Sequence, residues 1–449
     1  MSNKTKIIFP VILSVLIVLT AFAIRFYYSP LRDINLSQPS ERNALFFTKL
    51  DNGLSVTVKE MHQLPLVTMQ FWVNTGSRNE NDSNRGVAHI FEHIFFKGSK
   101  FQKTGEFLNV IESVGGDFNA MTSFDWTAFF IVVPSDKFHI VFPYFVDLLL
   151  NPAFNQSEIS KELQVILEEQ RTDFNVPLRY ASTEFGKVLV EKHPYRNPVI
   201  GYKSTIANMT RDQIINFYNT WYVPNNINVV VVGDINTENV LKMISEAFKD
   251  FKPKPLPKLN LPKQPMHTVQ KYNVTERRIS NDYAVIGYIL PDAQSQDIPV
   301  LKVLSKILVE GKSSRLEKIL KREQNLVIDV VGGVYPFKDF GVFELILTAS
   351  PDKKALALVE TLSQINKLKT DLISDQELET GKMLLIAERA RKLENIKEVG
   401  FEIGKMWIAG TLDDYYNYVP KIKKVTKEDI RRVVKKYFLA PTIFEVKPK

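Results

Sequence analysis

The hydrophobic and polar residues of the chain follow two periods, one of two residues, typical of strands, and one near 3.6 residues, typical of helices. Short apolar segments at Leu45–Lys49, Leu54–Lys59 and Val67–Val73 predict strands. Because Asp51-Asn52-Gly53 is a strong turn sequence, it predicts a hairpin between the first two of them.

Helical spacing follows these strands. Apolar residues recur on one helical face between Gly86 and Lys97, and Gly98 predicts the end of that helix. A second helix is predicted near Gly105–Ser113, where Gly115-Gly116 stops it. Further segments alternate between paired-strand and helix patterns: Asp117–Thr122, Thr127–Val133, Lys137–Leu150 and Ser157–Asp173.

A proline-rich segment, residues 251–268, predicts a stiff linker between residues 44–250 and residues 269–449. Each part contains a capped helix that leads toward a strand, beginning at Thr210 in the first part and at Thr426 in the second. We therefore expect an α+β fold of two homologous α/β-sandwich domains, each a mixed sheet covered by helices.

An apolar run, Ile7–Ile24, follows two lysines and reaches the lower limit for spanning a bilayer. Ala21-Phe22-Ala23 also fits a small-residue cleavage site. We therefore expect residues 1–24 to form an N-terminal hydrophobic helix, either a signal anchor or a cleaved signal peptide, with residues 25–43 as a tether. The body would then be exported, anchored in a bacterial inner membrane and facing the periplasm, or free in the periplasm after cleavage.

The amino-acid composition excludes several kinds of site. The chain has no cysteine, which excludes disulfides, thiolate metal ligands and a cysteine nucleophile. Its net charge of +8 comes from scattered lysines, so we expect a solvated surface and no nucleic-acid partner.

The stretch His89-Ile-Phe-Glu92-His93 carries the strongest chemical signal. Two histidines four residues apart on a helix point the same way, so both imidazoles can bind one zinc ion, with Glu92 beside them. This is the inverted form of the HExxH zinc-protease motif. Without cysteine, the remaining ligands must be histidines and carboxylates, which suit a catalytic zinc with one position open for water.

A third ligand is expected on the amphipathic segment that contains Glu169. Glu169 shares a helical face with Glu162, Val165 and Ile166, whereas Glu168 is turned about 100° away. A carboxylate on a buried face needs a compensating partner, and zinc would supply one. The alternative is a surface glutamate on a charged helix; with two histidines upstream, we predict Glu169 as the ligand.

At this point the sequence resembles the M16 (pitrilysin/insulinase-like) zinc peptidases, in their short two-domain bacterial form. The likeness covers about residues 44–449 and extends to several segments beyond the motif: Gly86–Gly98, Gly115–Ser123, Val165–Glu169, His193-Pro194-Tyr195 with Gly201, Val223–Asn226 with Val232–Asp234, and Gly311–Leu316.

The resemblance implies half of a clamshell of repeated α+β domains around a closed chamber. It implies one zinc held by His89, His93 and Glu169, with Glu162 at the family's second acidic position. It also implies an edge strand that pairs with extended substrate through Asn119, Ala120, Met121 and Thr122. Without the resemblance, Asn119 would be interpreted as a turn residue.

One departure from the family affects function. Many members carry an arginine and, seven residues later, a tyrosine that hold the substrate carbonyl; here Lys321 and Ile328 stand at those positions. An isoleucine cannot donate a hydrogen bond. The chain would therefore work slowly alone, use another donor such as Tyr335, or borrow the pair from a partner. We expect a dimer, with a related Arg/Tyr-bearing chain in preference to itself.

Together these features predict a zinc-dependent endopeptidase that cleaves extended peptides or small unfolded proteins in the cell envelope. Glu92 would act as the general base and Glu162 would orient a ligand. Two alternatives are a non-catalytic or partner-dependent subunit of a heterodimeric peptidase and a structural membrane-anchored protein with a chance motif. The remaining candidates, His62, His139 and His267, lie outside any metal spacing and are interpreted as surface or core residues.

Overall fold

The computed structural model describes residues 44–449, which contain two mixed β-sheets covered by helices. The first sheet has the strand order β1 (Phe46–Lys49), β2 (Ser55–Glu60), β6 (Ile227–Gly233), β3 (Leu66–Val73), β5 (Thr127–Pro134) and β4 (Asp117–Thr122). The second has the order β7 (Lys271–Arg277), β11 (Thr442–Pro448), β8 (Asp282–Leu290), β10 (Gly341–Ala349) and β9 (Asp329–Tyr335).

Helices of the first half are α1 (Val87–Phe95), α2 (Glu106–Ser113), α3 (Phe138–Leu150), α4 (Gln156–Asn175), α5 (Pro177–Leu189), α6 (Lys203–Ala207), α7 (Arg211–Trp221) and α8 (Thr237–Phe248). Helices of the second half are α9 (Ile298–Leu308), α10 (Lys354–Thr370), α11 (Asp375–Leu393), α12 (Ile396–Ala409), α13 (Tyr418–Lys423) and α14 (Lys427–Tyr437), with a π-helical turn at Glu317–Glu323. Residues 251–267, between the halves, form neither helix nor strand.

The two sheets repeat one topology. In the first, β2 runs parallel to β6, and β6, β3, β5 and β4 are successively antiparallel. In the second, β7 runs parallel to β11, and β11, β8, β10 and β9 are successively antiparallel. Reciprocal capping boxes at Thr210 and Thr426 start the helices that precede β6 and β11. The expectation of two mixed-sheet α/β domains is confirmed.

One helix of each half packs on the sheet of the other half. Helix α5 packs on β8 and β11, where Gly287 leaves room for the ring of Phe185. Helix α12 packs on β3 and β6, and a Cβ atom at Gly404 would lie 2.0 Å from the Trp72 ring. Because glycine has no side chain, the helix backbone can approach this close. The exchange joins the two halves through two apolar interfaces.

The predicted hairpin is confirmed: β1 and β2 are antiparallel, and Gly53 has the positive φ of +84° that such a turn requires. The helix over the histidine motif and the pairing of β4 with β5 are also confirmed. The predicted hydrophobic segment 1–24 and tether 25–43 lie outside the described residues. Among residues 44–449, no helix is both long and apolar enough to cross a membrane.

Candidate metal centre

Helix α1 is fixed at its start by an acidic side chain. The Glu80 carboxylate accepts the backbone N–H groups of Gly86 and Ala88 at 2.9 and 3.0 Å, which satisfies amides that have no partner within the helix. Gly86 has a φ of +97° there, and a Cβ atom at this position would lie 2.6 Å from the carbonyl of Ile200. This anchoring fixes the direction in which the motif side chains project.

His89, His93 and Glu169 form a cluster whose potential ligand atoms all lie within 4.8 Å of one another. Glu169 Oε2 lies 3.5 Å from His93 Nε2 and 3.9 Å from His89 Nε2. In tetrahedral zinc sites with bonds of about 2.0–2.1 Å, ligand atoms stand about 3.3 Å apart. The cluster therefore fits a zinc ion after small side-chain movements, and its donor set of two imidazoles and one carboxylate suits that metal.

The second nitrogen of His93 has its own partner. Nδ1 lies 3.2 Å from Glu162 Oε2, and the other oxygen of Glu162 lies 2.7 Å from Lys97 Nζ. Because a carboxylate only accepts hydrogen bonds, Nδ1 carries a proton, and Nε2, which lies 3.5 Å from Glu169, is the nitrogen that could bind a metal in the neutral ring. Glu162 is thus placed to orient a ligand, a common arrangement in metal sites.

The two neighbouring glutamates of α4 differ as the helical geometry predicts. Glu168 is exposed and forms hydrogen bonds with Arg171, whereas Glu169 faces α1. The expectation that Glu169 shares a buried face is wrong: its side chain is 42% exposed, and Val165 is 51% exposed. The reason is that only the part of α4 around Glu162 and Ile166 is buried, while Glu169 borders an open cavity.

Burial changes the electrostatics of the motif. It lowers the pKa of His89 to about 4, and the charge of His93 acts in the same direction. Burial also raises the pKa of the Glu92 carboxyl, an effect to which nearby Glu169 adds. His89 is therefore a neutral imidazole near pH 7, the form that binds metals.

Thr122, the last residue of β4, lies beside Glu92 and weakens the rise in its pKa. Its Oγ1 is buried and has no hydrogen-bond partner of good geometry among the described residues. Strand β4 forms the outer edge of the first sheet, so its other side is open. Along it, Asn119 and Met121 are exposed while Ala120 and Thr122 are half-buried. The structure thus brings the end of a free strand edge to the carboxylate of the motif.

The cluster opens into a cavity of about 540 Å³ between the two halves. His89, Thr122 and Glu169 line it from the first half, and Tyr335, Phe337 and Glu344 line it from the second. Lys321 and Ile328 are not among the lining residues; Lys321 pairs with Asp329 at 3.0 Å. Tyr335 therefore lies at the cavity, whereas Lys321 and Ile328, which replace the arginine and tyrosine of the family, do not.

A polar junction next to the cavity links the halves. The carboxylate of Asp339 binds the Arg78 guanidinium and lies 3.0 Å from His193 Nε2, and Tyr195 donates its hydroxyl to Asp125. Arg78 and His193 hold the pKa of Asp339 well below its usual range, despite its burial. Because Asp339 follows β9 closely, these contacts fix the segment that presents Tyr335.

The histidines without metal spacing fall at separate places. His62 is exposed between Glu60 and Asp234, His139 is exposed at the start of α3, and His267 is buried against Thr442. Among the described residues, the group that could hold a metal is His89, His93 and Glu169.

Comparisons with known proteins agree with this geometry. Residues 55–180 match the insulinase family (peptidase family M16), and residues 208–385 match the peptidase M16 inactive domain. A relative described as zinc protease PqqE from Helicobacter pylori is 30% identical over 398 residues, which cover 87% of this chain and 89% of that protein. The chain therefore belongs to the M16 peptidase family.

Solved structures show the same fold. A protease from Helicobacter pylori superposes with a TM-score of 0.87 at 28% identity, over 90% of this chain and all of that one. The periplasmic protease PqqL from Escherichia coli superposes with a TM-score of 0.74 at 19% identity. That match covers 91% of this chain but 48% of PqqL, so PqqL is about twice as long as the matched unit.

Proposed function

We propose that this chain is a zinc-dependent endopeptidase of the cell envelope that cleaves extended peptides or small unfolded proteins. One observation carries the proposal: a zinc-compatible cluster and Thr122, the end of a free strand edge, meet at one cavity, and the half-buried carboxylate of Glu92 lies beside Thr122. Relatives named as zinc proteases support the class of reaction.

Each motif side chain has a separate role in this proposal. His89, His93 and Glu169 would hold the zinc, which when bound supplies a Lewis acid that polarises a peptide carbonyl and activates water. Glu92 takes a proton from the attacking water and passes it to the leaving amine. Glu162 holds the ring of His93 in place by accepting a hydrogen bond from Nδ1–H.

Substrate selection follows from the shape of the site. An extended segment can pair with the open side of β4 through backbone hydrogen bonds, which are independent of sequence. Asn119, Ala120, Met121 and Thr122 provide that edge and bring the segment to Glu92. A folded protein offers no such free segment, so the preferred substrates are peptides and unfolded chains.

Two sources can supply the donor that Ile328 lacks. Tyr335 lies at the cavity in this chain, and a dimer could add an Arg/Tyr pair from a related subunit. The double length of PqqL supports a chamber built from two such units. Light scattering gives the mass, and Tyr335→Phe tests the first source: a loss of turnover in a monomer favours Tyr335, whereas a dimer unaffected by the change favours the partner.

The envelope location rests on the N-terminal apolar run and on the printed description of PqqL as periplasmic. Cell fractionation, with protease protection of the exported body, tests it. Recovery in the cytosol would exclude this part of the proposal.

The second candidate function is a non-catalytic subunit. The match to an inactive domain favours it, but that match begins at residue 208, beyond every residue of the metal cluster. The similarity to an inactive domain therefore concerns mainly the second half. The first half keeps all three residues of the metal cluster, His89, His93 and Glu169.

Replacing one carboxylate separates the two functions. We expect Glu92→Gln to keep zinc content and thermal stability but to lower cleavage of a quenched fluorescent peptide by about 10²–10⁴-fold, because an amide cannot accept the proton. Glu112→Gln, the same change at an exposed position of α2, is the matched control. Equal cleavage by the Glu92→Gln variant and the parent would exclude the role of Glu92, and no cleavage by the zinc-loaded parent would favour the non-catalytic subunit.

A further inference from the structure

The second half contributes an acidic side chain to the cavity. Glu344 lies on β10 between Val342 and Ile346, both buried in the cluster that joins α5 to the second sheet. Glu344 itself is half-buried and lines the same cavity as His89 and Glu169. A carboxylate on an otherwise apolar strand face needs a partner.

The hydrogen-bond partner of Glu344 is a neutral hydroxyl, which does not offset the charge of the carboxylate. Ser182 of α5 donates its hydroxyl to Glu344 Oε1 at 2.7 Å. Within residues 44–449, no lysine, arginine or histidine forms an ion pair with Glu344, and burial raises its pKa to about 7. By contrast, nearby Glu310 is paired with Lys306 at 2.5 Å. The cavity wall therefore holds a carboxylate without a cation.

The surroundings of Glu344 suit a long side chain with a cationic end. Phe337 and Tyr335 provide aromatic surface on the same cavity. Tyr335 and Glu344 lie on adjacent paired strands, where Tyr335 pairs with Val342 and Glu344 pairs with Gly333, and both side chains line the cavity. The methylene stem of a lysine or arginine packs on such surface, while its charged head binds a carboxylate.

We propose that Glu344 is the specificity residue of a subsite that accepts a lysine or arginine side chain of the peptide substrate. The inference rests on the proposed peptidase function, since the strand edge and the cluster deliver the peptide to this cavity. Basic side chains would enter with Glu344 as their counter-ion and Ser182 holding the carboxylate in place.

Peptide binding tests the subsite without cleavage. In the Glu92→Gln background, fluorescein-labelled extended peptides would carry lysine, norleucine or glutamate in turn at each position around a central bond. Fluorescence anisotropy then gives each dissociation constant. At one position we expect lysine to bind about tenfold more tightly than norleucine, as a charge-assisted hydrogen bond predicts.

Two further variants assign that preference. Adding Glu344→Gln should remove the lysine preference while the norleucine peptide binds as before, because glutamine keeps the shape and can still accept the Ser182 hydroxyl. Removing a buried charge does not destabilise a fold by itself, so this variant should remain folded. Glu184→Gln on α5 removes the same charge from a residue already paired with Lys187 and should leave the preference intact.

The outcomes are distinguishable. Peptide binding without a lysine preference, or a preference that survives Glu344→Gln, overturns the subsite alone. Absence of binding by every peptide overturns the proposed peptidase function together with the subsite. Loss of the preference in Glu184→Gln would show a general charge effect and would also overturn the assignment to Glu344.

Discussion

Helix α1 of the first half and helix α9 of the second occupy matching places in sheets of the same topology. Each follows the strand that pairs with the long C-terminal strand of its half, and each is followed by a glycine with positive φ, Gly98 at +99° and Gly311 at +92°. Counted back from these glycines, the positions of His89, Glu92 and His93 are occupied in the second half by Lys302, Ser305 and Lys306.

The third ligand has a counterpart as well. Glu169 stands fourteen residues after the N-cap residue of its helix, Asn155, and Glu388 stands fourteen after the N-cap residue Ser374. Lys306 Nζ lies 2.9 Å from Glu388 Oε2, so an ammonium and a carboxylate meet where the first half brings two imidazoles to Glu169. In the second half, the ammonium group of Lys306 therefore stands at the place that a metal ion would take in the first half.

The difference shows how one fold supports a metal-compatible and an ion-paired version of the same arrangement. Burial opposes ionisation of Glu388, but the ammonium groups of Lys392 and Lys306 hold its pKa at about 2. In the first half, burial keeps His89 neutral, and Glu169 meets two imidazoles instead of an ammonium, a donor set that suits a metal ion.

The largest predicted effect separates the two neighbouring glutamates of α4. Glu169→Gln removes the anionic ligand and should weaken zinc binding by about 10²-fold or more, whereas Glu168→Gln should change it little. Metal analysis after dialysis against a graded zinc buffer measures both. A variant series in which Glu168 is the sensitive residue would show that a different face of α4 binds the metal.

A smaller effect is expected where the halves exchange helices. Gly404→Ala places a methyl group 2.0 Å from the Trp72 ring, and we expect it to destabilise the chain by about 2–4 kcal/mol through overpacking. Gly186→Ala on α5, where a Cβ atom meets no neighbour, is the control and should stabilise by about 0.5–1 kcal/mol. Urea unfolding compares them; equal stability of the two variants would mean that α12 does not pack on β3.

The smallest effect concerns the ion pair of the second half. Glu388→Gln should cost about 1 kcal/mol, because the carboxylate is 34% exposed and solvent screens it. Its folded pKa of about 2 is below the ordinary 4.5, so its contribution is present above pH 4.5 and is lost as the pH falls toward 2. The stability of the Glu388→Gln variant should lack this part of the dependence on acid pH, and the variant should bind zinc normally.

Weaker zinc binding by Glu388→Gln would mean that the ion pair does more than stabilise the fold. The control is Glu246→Gln, which removes a carboxylate from an exposed ion pair with Lys249.

Local patterns were sufficient to predict the elements that carry the motif. The β1–β2 hairpin, the ends of α1 and the pairing of β4 with β5 follow from turn residues and apolar periodicity within short segments. The grouping of His89 with His93 needs only the pitch of one helix. These features depend on neighbours in sequence.

Features that depend on distant contacts were not predictable in this way. The exposed face of Val165 and Glu169 depends on the cavity between the halves, and the exchange of α5 and α12 depends on glycines whose neighbours lie far along the chain. The sequence indicated Glu344 in one way only, as a lone acidic residue in the apolar strand Gly341–Ala349. Its partner Ser182 belongs to the other half and could not be inferred from that pattern. Such residues are found only when the tertiary contacts are known.

X-ray diffraction at the zinc absorption edge, from crystals of the zinc-loaded chain, tests the central claim most directly. The account predicts one anomalous peak at about 2.0–2.2 Å from a nitrogen of His89, a nitrogen of His93 and an oxygen of Glu169, and none beside Lys306 and Glu388. A chain that takes up no zinc, or a peak at any other place, would contradict the account.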